Sequence, residues 1–233
     1  MLKKSGLKTI SLLILLSICG ACQQDSANPE PADSTYFPLQ TGDYWIYQVT
    51  QENYSPTNPT ITQTFQIQDK ISSSYTKDGQ LFFLMEESTR TSEQAAWQVS
   101  SIRSVYRSLT EAVSVDNNVP VVRLVFPIAL TDSWNTNLYN ANPDTLLHYQ
   151  DNGRPFSVGS LTFDRTVSVV GANDSTLINL AKNRWVYAQN VGLIFRENAS
   201  LAYCQSTPDC IGKAMIESGT TQKWELIASN RLP

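Results

Sequence analysis

The chain has 233 residues, with 17 Lys and Arg, 21 Asp and Glu and one His. This length is enough for one domain with a substantial hydrophobic core. Hydrophobic residues make up 41% of the chain and aromatic residues 10%, which excludes wholesale disorder. Three of the 17 basic residues lie within the first 21 positions, which leaves 14 basic against 21 acidic residues in the remainder. A body with a net charge of about −7 is repelled by phosphate backbones, so nucleic-acid binding is not expected.

The N-terminus is typical of a secretory signal. Lys3, Lys4 and Lys8 precede the apolar run at residues 10–18, and these are the basic and hydrophobic regions of a signal peptide. Only 16 uncharged residues separate Lys8 from Asp25, whereas a membrane-spanning helix needs about 20. We therefore predict a cleaved signal over residues 1–21 rather than a transmembrane helix.

The signal ends in Cys19-Gly20-Ala21-Cys22, which resembles a bacterial lipobox. The resemblance implies that Cys22 is lipidated and becomes the new N-terminus, although Cys19 departs from the usual Leu. The alternative is an ordinary cleaved signal with an incidental cysteine. Acyl chains on Cys22 would hold the protein to a membrane leaflet, because each buried CH₂ contributes about 0.8 kcal/mol.

Residues 22–35 contain Pro29 and Pro31 and show no apolar periodicity, which predicts a flexible tether. Gln23 follows the lipobox cysteine, as in lipoproteins of diderm bacteria, and this likeness implies an outer-membrane lipoprotein on the periplasmic or the cell-surface face. The partners expected are the membrane, through the anchor, and an envelope protein, glycan or lipid.

Two cysteines remain in the exported body, Cys204 and Cys210. In an oxidising compartment they are expected to form a disulfide, which would contribute about 2.4 kcal/mol by closing a seven-residue loop. Free thiols and a metal site are the alternatives. His148 is the only histidine, so a metal site would lack ligands, and neither a metal nor a cofactor is predicted.

Residues 36–233 read as a single β-rich domain. Apolar residues alternate with polar ones, as in Trp45-Ile46-Tyr47-Gln48-Val49 and in the stretch from Leu161 to Val169. A period of two indicates half-buried strands, and the predicted class is all-β and antiparallel, a curled sheet or open half-barrel with few short helices. Turn signals separate the strands at 77–79, 116–118, 151–153 and 173–174.

Two segments are ambiguous. The apolar residues of 95–113 have helical spacing, but their Ser and β-branched neighbours favour a strand. Residues 210–218 are predicted to form one or two helical turns.

A short motif occurs twice. Phe-Pro-aliphatic at 37–39 is followed by Asp43 and Trp45, and the same spacing recurs 89 residues later at 126–128 with Asp132 and Trp134. Proline ends strand pairing, the aspartate turns the chain and the tryptophan anchors the next strand. We interpret the pair as two similar turns before a strand, from an old duplication, and consider an acid–base pair of the two aspartates far less favoured.

The segment from Tyr36 to Tyr47, residues 124–127 with Trp134, and Tyr187-Ala188-Gln189-Asn190-Val191-Gly192-Leu193 together resemble a group of uncharacterised Bacteroidota lipoproteins. These share an FPLxxGxxWxY … YAxxVGL pattern, and the likeness covers most of residues 36–230. It implies an exported, anchored β-protein, similar to the half-barrel of lipoprotein carriers, and no catalytic residue. The chain departs at Thr131, where Gly42 predicts a glycine.

The sequence offers little catalytic chemistry. His148 lacks a Gly-x-Ser-x-Gly elbow, and 158–161 is the nearest approach to one. Glu86 and Glu87 are adjacent and should point to opposite faces of a strand, so they cannot form a carboxylate pair. No glycine-rich phosphate loop is present, and the acidic turns lack the spacing of a calcium loop.

Three functions remain open. The favoured one is a non-enzymatic binding or interaction module of the envelope, in which Trp45, Trp97, Trp185 and Trp224 pack in the core. The alternative is a carrier of a lipid or other apolar ligand, with a cavity lined by residues such as Phe65, Phe83, Phe163 and Leu193. A cryptic hydrolase is the least favoured, and the chain is not expected to be an enzyme.

Overall fold

The computed structural model describes residues 32–232, so Cys22, the signal peptide and most of the predicted tether lie outside the described part. A 3₁₀ helix at Ala32–Tyr36 opens this part, and twelve strands follow within it. The strands are β1 Tyr44–Tyr54, β2 Ile61–Lys77, β3 Gln80–Arg90, β4 Gln98–Arg107, β5 Glu111–Asp116, β6 Val119–Val125, β7 Ser133–Asn135, β8 Leu146–Val158, β9 Leu161–Ser175, β10 Asn179–Ala188, β11 Gly192–Tyr203 and β12 Ile216–Ser229.

The strands form one antiparallel sheet in the order β6-β5-β4-β3-β2-β1-β12-β11-β10-β9-β8-β7. The sheet is nearly closed into a barrel with one unsealed seam, which confirms the predicted all-β class and its curled shape. Within residues 32–232 no helix has the length and apolar character needed to cross a membrane.

The sheet consists of two meanders of six strands, β1–β6 and β7–β12, joined where β1 pairs with β12. Each copy of the repeated motif leads into the first strand of one meander. The turns match, because Asp43 N–H donates to Gln40 O and Asp132 N–H donates to Ala129 O, both at 3.0 Å. The predicted repeat is therefore a repeated turn at the start of each half.

The two tryptophans of the motif also have matching roles. The Trp45 indole N–H donates to Val191 O at 2.6 Å and that of Trp134 donates to Val122 O at 3.2 Å, and both side chains are buried. The copies differ where Gly42 has φ +94°, since Thr131 does not adopt a positive φ. The expected departure at Thr131 is thus a different backbone conformation.

Hydrogen bonds bridge the seam between β6 and β7. Val122 N–H donates to Thr136 O at 2.9 Å, and Thr136 Oγ1 donates to Val122 O at 2.8 Å. The Tyr149 hydroxyl accepts from Val125 N at 2.8 Å and donates to Val125 O at 2.6 Å. The last strand of one half is therefore tied to the first strand of the other without a continuous ladder.

The 3₁₀ helix is fixed to the end of the barrel at which β1 begins. Arg107 Nη1 donates to Ser34 O and Phe37 O, Ile128 N–H donates to Asp33 Oδ2, and Asn190 N–H donates to Thr35 O, all between 2.8 and 2.9 Å. Residues 32–35, the last four of the predicted tether, therefore belong to the folded part of the chain. We call this the closed end of the barrel.

Several local predictions are confirmed and others are corrected. Within 95–113 the chain forms β4 and β5, so the strand interpretation is right. Residues 77–79 and 116–118 contain hairpin turns, but 151–153 lie inside β8, where Asp151 and Gly153 have positive φ and shift the register. Residues 173–174 pair with β10, and the turn falls later. The helical turns predicted for residues 210–218 are absent. Residues 210–214 form turns instead, and β12 begins at Ile216.

Candidate functional site

The barrel encloses a cavity of about 310 Å³. Strands from both meanders contribute to its wall, and the segment after the 3₁₀ helix covers it at the closed end. Its apolar lining includes Phe37, Leu39, Met85, Trp185, Leu193 and Trp224. Its charged and hydroxyl-bearing lining includes Asp69, Glu87, Arg103, Ser114, Arg123 and Arg196. Such a mixture is unusual for a barrel interior, since charged side chains are rarely enclosed unless they are paired.

One wall of the cavity is an ion-paired cluster on β2, β3 and β4. Asp69 lies opposite Glu87 in the register of β2 and β3, which brings the two carboxylates together. Arg103 from β4 bridges them, with Nη2 at 2.6 Å from Asp69 Oδ2 and Nη1 at 3.1 Å from Glu87 Oε2. Burial opposes the charge of Arg103, but the charge and hydrogen bond of Asp69 and the charge of Glu87 raise its pKa above the ordinary value. We call these three residues the paired wall.

Arg123 on β6 also lines the cavity, but it has no such partner within residues 32–232. Its guanidinium makes no hydrogen bond and no ion pair with any residue of 32–232. Burial lowers the pKa of Arg123, and the nearby charge of Arg103 lowers it further against the opposing influence of Tyr187 and the carboxylates. A cation enclosed in this way lacks the compensation that buried charges ordinarily have.

Arg196 on β11 is the third arginine of the cavity lining. Its guanidinium lies over the Trp224 ring, 4.9 Å from the centroid, and with the Asn198 amide turned to suit both groups it donates to the Asn198 oxygen from Nε at 3.1 Å and Nη2 at 2.8 Å. Burial, and next the charge of Arg123, lower the pKa of Arg196 to about 10. Arg196 therefore remains cationic at neutral pH. Its contact partners in the described part of the chain, the Trp224 ring and the Asn198 amide, are neutral.

Two hydroxyl groups accompany these arginines. Tyr187 is 4% exposed, and in the part of the chain that the structure describes its hydroxyl has no hydrogen-bond partner. Burial raises the pKa of Tyr187, while the charges of Arg123, Arg196 and Arg103 act in the opposite direction. The buried Ser114 Oγ likewise has no partner in residues 32–232. By contrast the Tyr47 hydroxyl donates to Leu193 O at 3.0 Å. We call Ser114, Arg123, Tyr187 and Arg196 the unpaired wall, because none of them is bound to a carboxylate within residues 32–232.

A row of amide side chains lies beyond the cavity, away from the closed end. The register pairs Asn183 with Asn198, Asn198 with Gln222, and Gln222 with Gln51 across β10, β11, β12 and β1. Each amide is two residues from Trp185, Arg196, Trp224 or Val49 with no bulge between, so the amides share the face of the cavity. The four residues line a second concavity of about 320 Å³. We call them the amide row.

Neighbours in the amide row are hydrogen-bonded to each other. Gln222 Nε2 donates to Gln51 Oε1 at 3.0 Å, and the reoriented Asn198 amide donates to Asn183 Oδ1 at 3.2 Å. Because each amide has two donors and two acceptor sites, these bonds leave groups available to a ligand. The interior thus changes from charged and aromatic near the closed end to amide-lined further out.

The residues considered from the sequence as candidate catalytic groups do not come together in one site. His148 is exposed on β8 and does not line the cavity. Asp43 is bound by Arg231, with Oδ1 at 2.9 Å from Nε and Oδ2 at 2.7 Å from Nη2, so its role is structural. Glu87 lines the cavity while Glu86, on the opposite face of β3, does not. No group of three or more His, Cys, Asp or Glu that could hold a metal occurs within residues 32–232.

The expected disulfide is present between Cys204 and Cys210, in the loop that joins β11 to β12 and away from the cavity. The aromatic predictions hold in part. Trp45 and Trp224 are buried, and both line the cavity together with the half-buried Trp185. Trp97 is not in the core, because it precedes β4 and lies half-buried beneath Arg90, 4.3 Å from its ring centroid.

The cavity differs from the apolar one that the carrier hypothesis describes. Of the four residues proposed to line it, only Leu193 does so, while Phe65, Phe83 and Phe163 pack in or against the hydrophobic core. The arginines were missed because they lie on separate strands. On β11 the bulge at Ile194 places Arg196, and not Phe195, on the face of Leu193. Fold and cavity together define an antiparallel, incompletely closed barrel with a charged internal cavity.

Comparisons with known proteins were made by family model, by sequence and by structure. No family model matches the chain, and no curated protein matches it. A candidate exported protein with a YmcC-like fold from Bacteroides fragilis is similar with a TM-score of 0.38 and 11% identity over 83% of this chain and 98% of that one. A candidate lipoprotein from Parabacteroides distasonis is similar with a TM-score of 0.37 and 12% identity over 82% of this chain and 98% of that one. The function of this chain has to be argued from its own cavity.

Proposed function

We propose that this chain is an exported, membrane-anchored lipoprotein that binds a small molecule inside its barrel without transforming it. The observation that supports this most directly is the unpaired wall. Within residues 32–232 the Ser114 hydroxyl is buried without a partner, and Arg123 lines the cavity without one. Such groups are rare enough in native proteins to need an explanation. A ligand that enters the cavity of about 310 Å³ and accepts those hydrogen bonds supplies one.

The anchor fits this arrangement. Nine residues, 23–31, separate Cys22 from the 3₁₀ helix, and an extended chain of this length reaches about 30 Å. Since the helix is fixed to the closed end, lipidation of Cys22 holds that end near the outer membrane and directs the amide row away from it. The cavity is then offered to solutes of the envelope, and a carrier of purely apolar ligands is less favoured by its charged lining.

Native mass spectrometry of the full protein, gently extracted from its own membrane, tests both parts. We expect the mature N-terminus at Cys22 with its acyl chains, and in addition a stoichiometric small-molecule adduct. Cys22→Ser should abolish acylation and release the protein into the soluble fraction. A mature chain without acyl mass would overturn the anchor, and protein that is always free of any adduct would argue against the cavity as a binding site.

A filled-cavity variant gives the matched comparison. Ser114→Met places a larger side chain where the Ser114 hydroxyl is buried against the cavity, whereas Ser160→Met alters an exposed serine of the β8–β9 turn. We expect the first variant to lose the adduct and the second to retain it, at similar melting temperatures. An adduct that survives Ser114→Met in full would place the ligand elsewhere on the protein.

A further inference from the structure

We propose that the ligand is a small hydroxylated organic acid, of the sugar-acid type, whose single carboxylate binds to Arg123, Arg196 and Tyr187. This inference rests on the proposed function and adds the chemical class of the ligand. Three features of the cavity support it: the charge balance, the groups that lack partners and the amide row.

The charge balance selects an anion of one charge. Three guanidinium groups line the cavity, and two of its carboxylates, Asp69 and Glu87, are both bound to Arg103. One positive charge is therefore uncompensated in the interior. The remaining lining carboxylate, Asp116, raises the pKa of Arg123, but it lies exposed at the β5–β6 turn, where solvent screens part of its charge. A monoanion restores neutrality, whereas a dianion such as a phosphate monoester would leave a net negative interior.

The donors of the unpaired wall suit a carboxylate. An arginine guanidinium presents parallel N–H groups that match the two oxygens of a carboxylate, and such charge-assisted bonds are stronger than neutral ones. None of the N–H groups of the Arg123 guanidinium donates a hydrogen bond within residues 32–232. The nearby Tyr187 hydroxyl adds a neutral donor. The lowered pKa values of both arginines agree with this assignment, because an anion would relieve the cost of their burial.

The rest of the ligand is defined by the next two rows of the sheet. Trp185, Arg196 and Trp224 lie side by side in register, and beyond them follows the amide row. The donors and acceptors that the amide row does not use within itself suit hydroxyl groups, while an alkyl chain would leave these remaining groups without partners. Indole rings offer flat apolar faces against which a sugar ring can pack. An acid with hydroxyl groups therefore fits this interior better than a fatty acid does.

The test is a set of calorimetric titrations of the full chain with three pairs of probes. Glucuronate, galacturonate and gluconate are each compared with the corresponding amide, which has the same shape without the charge, and octanoate serves as the apolar acid. We expect at least one hydroxylated acid to bind at least tenfold more tightly than its amide and more tightly than octanoate. Equal affinity for acid and amide, or tightest binding of octanoate, would overturn the proposed class.

Variants locate the carboxylate. Arg123→Gln should weaken binding of the best acid at least tenfold and leave the amide unaffected, while Arg123→Lys should restore part of the preference. Arg154→Gln is the matched control, because the Arg154 side chain is 76% exposed on β8. Thermal melts of each variant show whether the protein is folded. If a folded Arg123→Gln variant prefers acids as strongly as the original chain, the assignment to Arg123 is wrong.

The two proposals fail in different ways. If none of the acids binds at 10 mM although native mass spectrometry finds a bound small molecule, the ligand class is wrong and the binding function stands. If the extracted protein is also always empty, both proposals are wrong.

Discussion

The two walls of the cavity hold the same side chain in opposite circumstances. On the paired wall Arg103 is bound by two carboxylates, at 2.6 and 3.1 Å, and its pKa is raised. On the unpaired wall Arg123 has no such partner among the described residues, and burial lowers its pKa. Both arginines line one cavity of about 310 Å³. The difference between them is therefore one of pairing and not of exposure to bulk water.

The contrast distinguishes charged residues that stabilise the fold from charged residues that serve ligand binding. A buried charge with its counter-ions belongs to the folded structure, since removing one partner leaves the others uncompensated. A buried charge without counter-ions weakens the empty protein, and it is retained where a function needs it. The same substitution should accordingly have opposite effects on the two walls.

The largest effect is expected from Arg103→Met. The variant leaves Asp69 and Glu87 facing each other without a cation, so we expect the free energy of unfolding to fall by about 3–5 kcal/mol. Urea unfolding followed by tryptophan fluorescence measures the change. A triple variant that adds Asp69→Asn and Glu87→Gln removes the stranded charges and should recover most of the loss. A loss below about 1 kcal/mol in the single variant would show that the paired wall is not structural.

The next largest effect on stability is expected from the disulfide, which lies away from both walls. Replacing Cys204 and Cys210 by serine opens the seven-residue loop and should lower the free energy of unfolding by about 2.4 kcal/mol in the chain-entropy model. Because the disulfide lies within the β11–β12 loop, outside the cavity, binding of the best acid should be unchanged at a temperature where the variant is folded. Lost binding with an unchanged melting temperature would mean that the loop belongs to the binding site.

Arg123→Met should change stability in the opposite direction from Arg103→Met. Removing an unpaired buried cation relieves its desolvation, and methionine fills a similar volume, so we expect the free energy of unfolding to rise by about 1–2 kcal/mol. The gain should appear only without ligand, because a bound acid stabilises the original chain by mass action. Paired urea unfolding curves with and without glucuronate measure both quantities. A less stable empty variant would show that Arg123 has a structural partner after all.

The sequence predicts the strands better than it predicts the cavity. Period two identifies strands such as β1, where Trp45, Tyr47 and Val49 are all buried. It cannot locate bulges, because an inserted residue reverses the phase of all positions after it. Asp151-Asn152-Gly153 has the composition of a turn, but its positive φ angles form an irregularity inside β8, and the sequence does not distinguish the two.

The same limit applies to the site. Arg103, Arg123 and Arg196 share no local motif and meet only when the sheet closes. The amide row is visible in the sequence only as single Asn and Gln residues in four strands, and the register alone aligns them. The disulfide and the repeated turn were predictable because each depends on residues close together in the chain.

The smallest effect tests the chemistry of the unpaired wall through pH. Because the pKa of Arg196 is lowered to about 10, half of the empty protein loses this charge at pH 10, and binding of a carboxylate there should be about twofold weaker than at pH 8. An arginine with its ordinary pKa would show no change over this range. The pKa of Tyr187 is raised by burial, so its hydroxyl is expected to remain a donor. Titration calorimetry with the best acid at pH 8 and pH 10 measures the ratio, with circular dichroism to check the fold and the neutral amide as the control. Equal weakening of acid and amide would attribute the effect to the protein fold, whereas weakening of the acid alone would assign it to the charge that a carboxylate needs.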